Sequence, residues 1–271
     1  MKGIVVAAIG IALSAATAVA TDTPDDRAAL AALVAAYPDH LAAIDGGALV
    51  WRDGTRMPVD DGETAKPFAR WLEAPDIKDM QRQRYPAGAP ATQPEPDFDP
   101  GRARNRVLFD KMYGDCTRKN VATRLVDVVW LPKKWGRRLR VTKVNGVDKA
   151  LAAVSAALDA LPAAFDVHLK PPAGTYDCRP IAGTGRTSAH GYGIAIDLAT
   201  AGAHYWRWSK PVPGRPLVYR NTMPAEIVAI FEQHGFIWGG RWYHYDTMHF
   251  EYRPELLPAR MPTPRPSPPA P

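Results

Sequence analysis

Apolar residues in this chain come in short bursts, and each burst has its own period. Gly3 to Leu13 is unbroken by any polar side chain, then thins into small residues that end in Ala18-Val19-Ala20. With Lys2 in front and Thr21 behind, this reads as a signal peptide, residues 1–20, cleaved after Ala20. Asp25 to Leu41 is rich in Ala and Leu and predicts a helix interrupted at Pro38. Ala48 to Trp51 and Arg56 to Val59 flank Asp53-Gly54, the signature of a hairpin turn. Val147, Leu151, Val154, Leu158 and Leu161 recur at helical spacing until Pro162. Met223 to His234 predicts a second clear helix, with Pro224 in its first turn and Gly235 after its last. Ile194 to Ala199 instead alternates, setting Ile194, Ile196 and Leu198 on one face of a strand and Ala195, Asp197 and Ala199 on the other.

Between these elements, Tyr85 to Gly101 is dense in Pro, Gly and Asp and predicts a long loop. The last 14 residues, 258–271, are half Pro, with Ala, Arg, Met, Ser and Thr, and predict a disordered or polyproline-like tail. No later segment is apolar enough to cross a membrane, and no cysteine follows the leader to carry a lipid anchor, so no stable membrane anchor is expected.

Composition changes the picture in two ways. With 271 residues and 46% hydrophobic content the chain can bury a core without metal or disulfide staples. The net charge of +6 falls to +5 once Lys2 leaves with the leader. Cys116 and Cys178 are the only cysteines, so a Cys-rich zinc finger is excluded. Export would carry both into an oxidising compartment, where a Cys116–Cys178 bridge is expected, the alternative being two unpaired buried thiols. The basic stretch Pro132-Lys-Lys-Trp-Gly-Arg-Arg-Leu-Arg140 reads as a solvated loop. In an exported protein it does not predict nucleic-acid binding, though contact with an anionic cell-wall polymer stays open.

Candidate chemistry is concentrated between Tyr176 and Glu251. His190 precedes the Asp197 strand by seven residues, and Gly191 and Gly193 let the chain turn between them. Asp246 and His249 are three apart and share a side only if a tight turn intervenes. His190, Asp197 and His249 together make a two-histidine, one-carboxylate zinc set with a fourth position left for water. Asp246 is then placed to act as general base, and Arg179 is the nearest cation for an oxyanion. Taken singly each of these residues also has a bland reading as a turn, cap or surface group.

The spaced pair Ser188-x-His190-x-x-Gly193-x-Ala195-x-Asp197 and Asp246-x-x-His249 resembles the zinc-dependent D-alanyl-D-alanine carboxypeptidases and L-alanyl-D-glutamate endopeptidases, which cut peptidoglycan stem peptides. The resemblance implies an α+β fold in which a small antiparallel sheet carries Zn²⁺ and helices pack on one face. It implies His190, Asp197 and His249 as ligands, Asp246 as base, and Arg179 as the substrate- and oxyanion-holding arginine, with Arg186 the competing assignment. Ser188, Arg186, Trp242 and His244 are expected to orient the site or face substrate. The base is Asp here, where the carboxypeptidase branch usually carries Glu, so the bond cut stays open between the two activities.

The expected organisation is a metallopeptidase domain over 21–257, with its zinc-site core at about 105–257 and an N-terminal extension at 21–104. The expected location is periplasmic or extracellular. The alternative function is a non-catalytic zinc- or wall-binding module on the same fold, since fold alone does not guarantee activity.

Overall fold

The computed structural model describes residues 23–258 except 64 and 213. The predicted leader and nearly all of the Pro-rich tail lie outside these residues. The first helix, α1 (Pro24–Ala36), begins with a capping box in which Thr23 Oγ1 accepts the Asp26 amide at 3.1 Å and Asp26 Oδ2 accepts the Thr23 amide at 3.0 Å. It ends before Pro38, and Leu41 opens a strand instead of extending the helix. Proline lacks the N–H that the helix needs, the chain turns over Tyr37–Leu41, and Leu41 pairs with Trp51.

Strands β1 (Leu41–Asp45), β2 (Ala48–Trp51) and β3 (Arg56–Pro58) form an antiparallel sheet in which β2 and β3 are the predicted hairpin. Asp53 Oδ1 accepts the Thr55 amide at 3.0 Å across its turn. The short helix α2 (Phe68–Glu73) leads into a long connection, as the Pro/Gly density of 85–101 predicts, and α3 (Arg106–Tyr113) starts on an Asn105 cap.

The basic run departs from its reading as a loop. Strands β4 (Leu125–Trp130) and β5 (Arg137–Thr142) form a two-stranded antiparallel pair, and the run supplies both its turn and its second strand. Arg137, Arg138 and Arg140 stay exposed while Val141 and Thr142 are buried, so the arginines edge a strand whose far end enters the core. The Trp130 ring is fully buried and donates its N–H to Leu169 O at 3.0 Å.

Helix α4 (Val147–Asp159) buries Val147, Leu151, Val154 and Leu158, the stripe expected from their spacing. At about 2 kcal/mol for each fully buried Val or Leu, that stripe is a major contribution to local stability. Ser155 is buried among them because its hydroxyl is satisfied, accepting the Leu131 amide at 2.7 Å and donating to Val129 O at 3.1 Å. After the single-turn helix α5 (Asp166–Leu169) comes β6 (Ala195–Asp197), then α6 (Ala225–Gln233), β7 (Phe236–Trp238) and β8 (His249–Tyr252). The last three strands form an antiparallel sheet in the order β6-β8-β7. Helix α4 packs on β4 and α6 on β7, with Phe231 of α6 stacked on Phe250 of β8 at 3.9 Å between centroids. Mixed helices and small antiparallel sheets make the α+β fold that was expected, and one hydrophobic cluster runs from Leu30 through α4 to Phe250.

Cys116, just after α3, is bonded to Cys178, which immediately precedes Arg179. Closing a loop across 62 positions removes about 4 kcal/mol of unfolded-chain freedom in the entropy model. The Cys116→Ala/Cys178→Ala double variant should therefore unfold at lower denaturant, by about 2–4 kcal/mol, in an equilibrium unfolding titration. An unchanged midpoint would show that the tie adds nothing to stability.

Candidate metal centre

The cross-strand register places the first two functional side chains. Asp197 on β6 lies directly opposite His249 on β8, and the two residues project from neighbouring strands of one sheet. His190 arrives from a short helical turn, Ala189–Tyr192, which Ser188 caps by accepting the His190 amide at 3.4 Å. Two glycines make that approach possible. A Cβ on Gly191 would meet Thr187 Cγ2 at 2.9 Å and the Cys116 sulfur at 3.3 Å, so the turn lies flat on the disulfide. Gly193 ends the turn at φ +71°, where a Cβ would meet Leu125 and the Thr142 amide at 3.0 Å.

Three donor groups converge as a result. His190 Nε2 lies 3.2 Å from Asp197 Oδ2, His249 Nδ1 lies 2.9 Å from Asp197 Oδ1, and the two ring nitrogens are 3.3 Å apart. Tetrahedral zinc with ligands at about 2.0–2.1 Å requires ligand atoms about 3.3 Å from one another, close to what is seen. The other nitrogen of each ring is already taken. His190 Nδ1 donates to Thr175 O at 2.5 Å, and His249 Nε2 faces Glu251 Oε2 at 3.2 Å. Those contacts leave His190 Nε2 and His249 Nδ1 facing the shared centre, where a bound cation would take the place of the ring proton. The donor set fits a metal ion on geometry and on chemistry. A second acidic group, Asp60, Asp61 and Asp76, has a different explanation: the buried Lys66 ammonium lies 2.6 Å from Asp61 and 3.6 Å from Asp76.

The electrostatics of the centre are strong. Burial disfavours charge on His249, but hydrogen bonding to Asp197 and Glu251 outweighs it and pushes the ring up to about 10. Burial likewise opposes charge on Asp197, and His190 and His249 override it, holding the carboxyl far below the usual range. Asp246 behaves in the opposite sense. Burial and then the negative charge of Asp197 push it up to about 6, while His249, Arg102 and His190 pull the other way. The tight turn that its spacing required is present, since the His249 amide donates to Asp246 O at 3.2 Å. Asp246 Oδ1 is buried and has no hydrogen-bond partner.

Residues 182–252 match the family model described as D-alanyl-D-alanine carboxypeptidase. That stretch holds both spaced motifs and agrees with the resemblance read from them, and it supports a peptidase. No curated protein matches the chain. Among the described residues, no helix is long and apolar enough to cross a membrane.

The remaining expected site residues are spread around this candidate centre. Trp242 is buried, donates its ring N–H to Pro100 O at 2.7 Å, and lies 5.6 Å from the His249 ring. His244 is held by Asp99, through Nδ1 at 2.8 Å and its amide at 2.9 Å, and stacks on Phe68. Arg179 pairs with Asp177 at 2.9 Å and is nearly half exposed, while its carbonyl accepts the Ser188 amide and so closes the 179–188 loop. Arg186, in that loop, is mostly buried.

The motif reading passed over Glu251, Asp99 and Arg102. Glu251 was legible in principle, because His249-x-Glu251 on a strand puts both side chains on one face. Asp99 and Arg102 come from the long loop, and only tertiary structure brings them in.

Asp99 carries a pH prediction. Burial opposes its charge, but Arg102 at 3.1 Å and the His244 contacts outweigh it, so its carboxyl titrates below the ordinary range. A depressed folded-state pKa contributes stability that is present above the unfolded value of about 3.9 and lost as pH falls through the folded value. Unfolding titrations from pH 7 down to 2 should therefore show a smaller acid-side loss in Asp99→Asn than in the unaltered protein. Parallel curves would remove Asp99 from the acid response.

Proposed function

We infer that the protein is an exported zinc peptidase that hydrolyses peptidoglycan stem peptides, at either the terminal D-Ala-D-Ala bond or the L-Ala-D-Glu bond. The observation that carries this reading is the buried, partnerless Oδ1 of Asp246 beside three converged metal-ligand atoms. A binding module gains nothing from such a carboxylate, which costs free energy unless a reacting group satisfies it. Export rests on the leader-like N-terminal segment and on the disulfide, which belongs to oxidising compartments.

His190, Asp197 and His249 would hold the ion, and Thr175 O and Glu251 keep the two rings oriented towards it. Zn²⁺ bound there would supply a Lewis acid for the scissile carbonyl and lower the pKa of water to about 7. Asp246 Oδ1 accepts the proton of the attacking water and returns it to the leaving amine. For the oxyanion the family resemblance points to Arg179, and the electrostatics point also to Arg102, whose charge acts on Asp246.

The test is digestion of purified peptidoglycan with the zinc-loaded protein, followed by mass spectrometry of the released fragments with and without chelator. Chelator-sensitive release is expected. Loss of a terminal D-Ala or a cut beside D-Glu then identifies the bond, and the absence of chelator-sensitive products would end the peptidase reading.

A further inference from the structure

Residues 173–179 form a strap that is bonded to two of the three converged residues. At one end it pairs with the Asp197 strand, the Ala173 amide donating to Asp197 O and the Asp197 amide to Gly174 O, both at 2.8 Å. Next along the strap, Thr175 O accepts from His190 Nδ1 at 2.5 Å, and the Asp177 amide donates to His190 O at 3.2 Å. Between these the Tyr176 amide reaches Arg140 O at 3.3 Å. At the far end Arg179 O accepts the Ser188 amide at 3.1 Å, and Ser188 in turn caps the helical turn that carries His190.

Cys178 fixes that far end. Its bond to Cys116 ties the strap to the chain just after α3, and α3 is itself packed on the His190 turn. The Tyr192 hydroxyl donates to Asp110 at 2.9 Å, and the Tyr192 ring lies 5.5 Å from that of Phe109. The Cys116 sulfur also floors the turn, 3.3 Å from where a Cβ on Gly191 would stand. The bridge therefore acts on His190 from two directions, through the strap and through the floor. A ligand ring held in place before the ion arrives binds it more tightly than one that must be ordered on binding, because ordering costs conformational freedom. Access to the bridge is one-sided: Cys116 is buried, whereas Cys178 is exposed and open to a small dithiol.

We propose that the Cys116–Cys178 bridge is a redox-dependent latch on the metal centre: closed, it holds His190 in place and the ion binds tightly; open, it frees the strap and the ion binds weakly. Opening is a thiol–disulfide exchange with a dithiol reductant. One thiolate of the reductant attacks the Cys178 sulfur and the Cys116–Cys178 bond breaks. The second thiolate resolves the mixed disulfide, so the protein gains two electrons and two protons as two cysteine thiols while the reductant leaves as a disulfide. The centre is thereby completed only in an oxidising compartment, which links metal loading to the export proposed above. The latch rests on the metal reading of the centre and is independent of which peptide bond is cut.

The experiment measures Zn²⁺ affinity by competition with a chelating dye, in the unaltered oxidised protein and in Cys116→Ala/Cys178→Ala. A variant is used because reductant dithiols and free thiolates bind zinc themselves. Leu158→Ala is the control: Leu158 is fully buried on α4, so its truncation opens a core cavity and lowers stability without touching the strap. Circular dichroism verifies the folding of each variant. The bridge variant is expected to bind Zn²⁺ at least about tenfold more weakly, and Leu158→Ala to stay within about threefold of the unaltered protein. Equal weakening in both variants, or unchanged affinity in the bridge variant, overturns the proposal. Should the bridge variant not fold, Gly191→Ala takes its place, since it keeps the bridge but its Cβ lifts the His190 turn off the Cys116 sulfur. Weaker binding is expected there too, and unchanged affinity overturns the latch. Because no turnover is read, failure of the peptidase reading leaves these results interpretable, whereas an unaltered protein that binds no Zn²⁺ overturns the metal reading and the latch with it.

Discussion

If the protein is the proposed metal peptidase, Asp246→Asn should lower kcat by about 10²- to 10⁴-fold, the range general-base catalysis supplies, while leaving the fold and the metal affinity in place. That loss corresponds to about 3–5 kcal/mol of transition-state stabilisation. The amide keeps the size and shape of the side chain but cannot take a proton. KM should change little, because the lost interaction belongs to the transition state and not to substrate binding. Stability should move the other way. The native carboxylate is held near Asp197 with one oxygen buried and unpartnered, so removing its charge relieves repulsion and desolvation. Asp246→Asn is therefore expected to melt at an equal or higher temperature than the unaltered protein, and Asp246→Glu to keep partial turnover. The measurements are steady-state kinetics on a stem peptide, metal content by atomic emission, and thermal unfolding. Full turnover in a zinc-loaded Asp246→Asn protein would show that the base is another group.

The opposite movements expected of activity and stability at Asp246 bear on how far the candidate site was legible from sequence. Catalytic groups break local rules of burial and pairing, and the break at Asp246 sits in a tight motif whose spacing survives in one dimension. The convergence of His190, Asp197 and His249 was only suggested by their spacing, and the family resemblance carried the expectation of a ligand set. A strand of period two and a glycine-bracketed turn fix where those side chains point. The helices α4 and α6 were equally readable, since their apolar stripes repeat every three or four residues. The β4–β5 pair was not, because its second strand is an arginine-rich edge whose charge masks the alternation. Nor was the end of α1, where Leu41 extends the apolar pattern but its backbone pairs with a strand ten residues on. Asp99 and His244 illustrate the hardest case: they pair across 145 positions, and neither has a local pattern that would join them.

The strongest test of how the fold supports the candidate metal site lies two residues beyond His249. Glu251 is fully buried and accepts from three sides: Arg104 at 2.9 and 3.1 Å, Arg253 at 3.2 Å, and His249 Nε2 at 3.2 Å. Burial alone would keep its carboxyl neutral, but Arg104, His249 and Arg253 hold it far below the usual range. Glu251→Gln removes that charge at two places at once. Arg104 and Arg253 lose their shared counter-ion inside the protein, at a cost of about 3–5 kcal/mol of stability. The amide offers one oxygen where the carboxylate offered two, and Arg104 and Arg253 compete with His249 Nε2 for it, so the hold that keeps Nε2 protonated and leaves Nδ1 for the ion is weakened and metal affinity should fall by about 10–100-fold. Glu255→Gln separates the two effects. Glu255 pairs with Arg253 on the side away from His249 and accepts the Tyr37 hydroxyl at 2.6 Å, tying α1 to the same network. Its loss should lower stability in denaturant titrations yet change metal affinity by less than about threefold, measured by competition with a chelating dye. If Glu251→Gln and Glu255→Gln weaken metal binding equally, general loosening of the fold explains both, and Glu251 has no specific hold on the His249 ring.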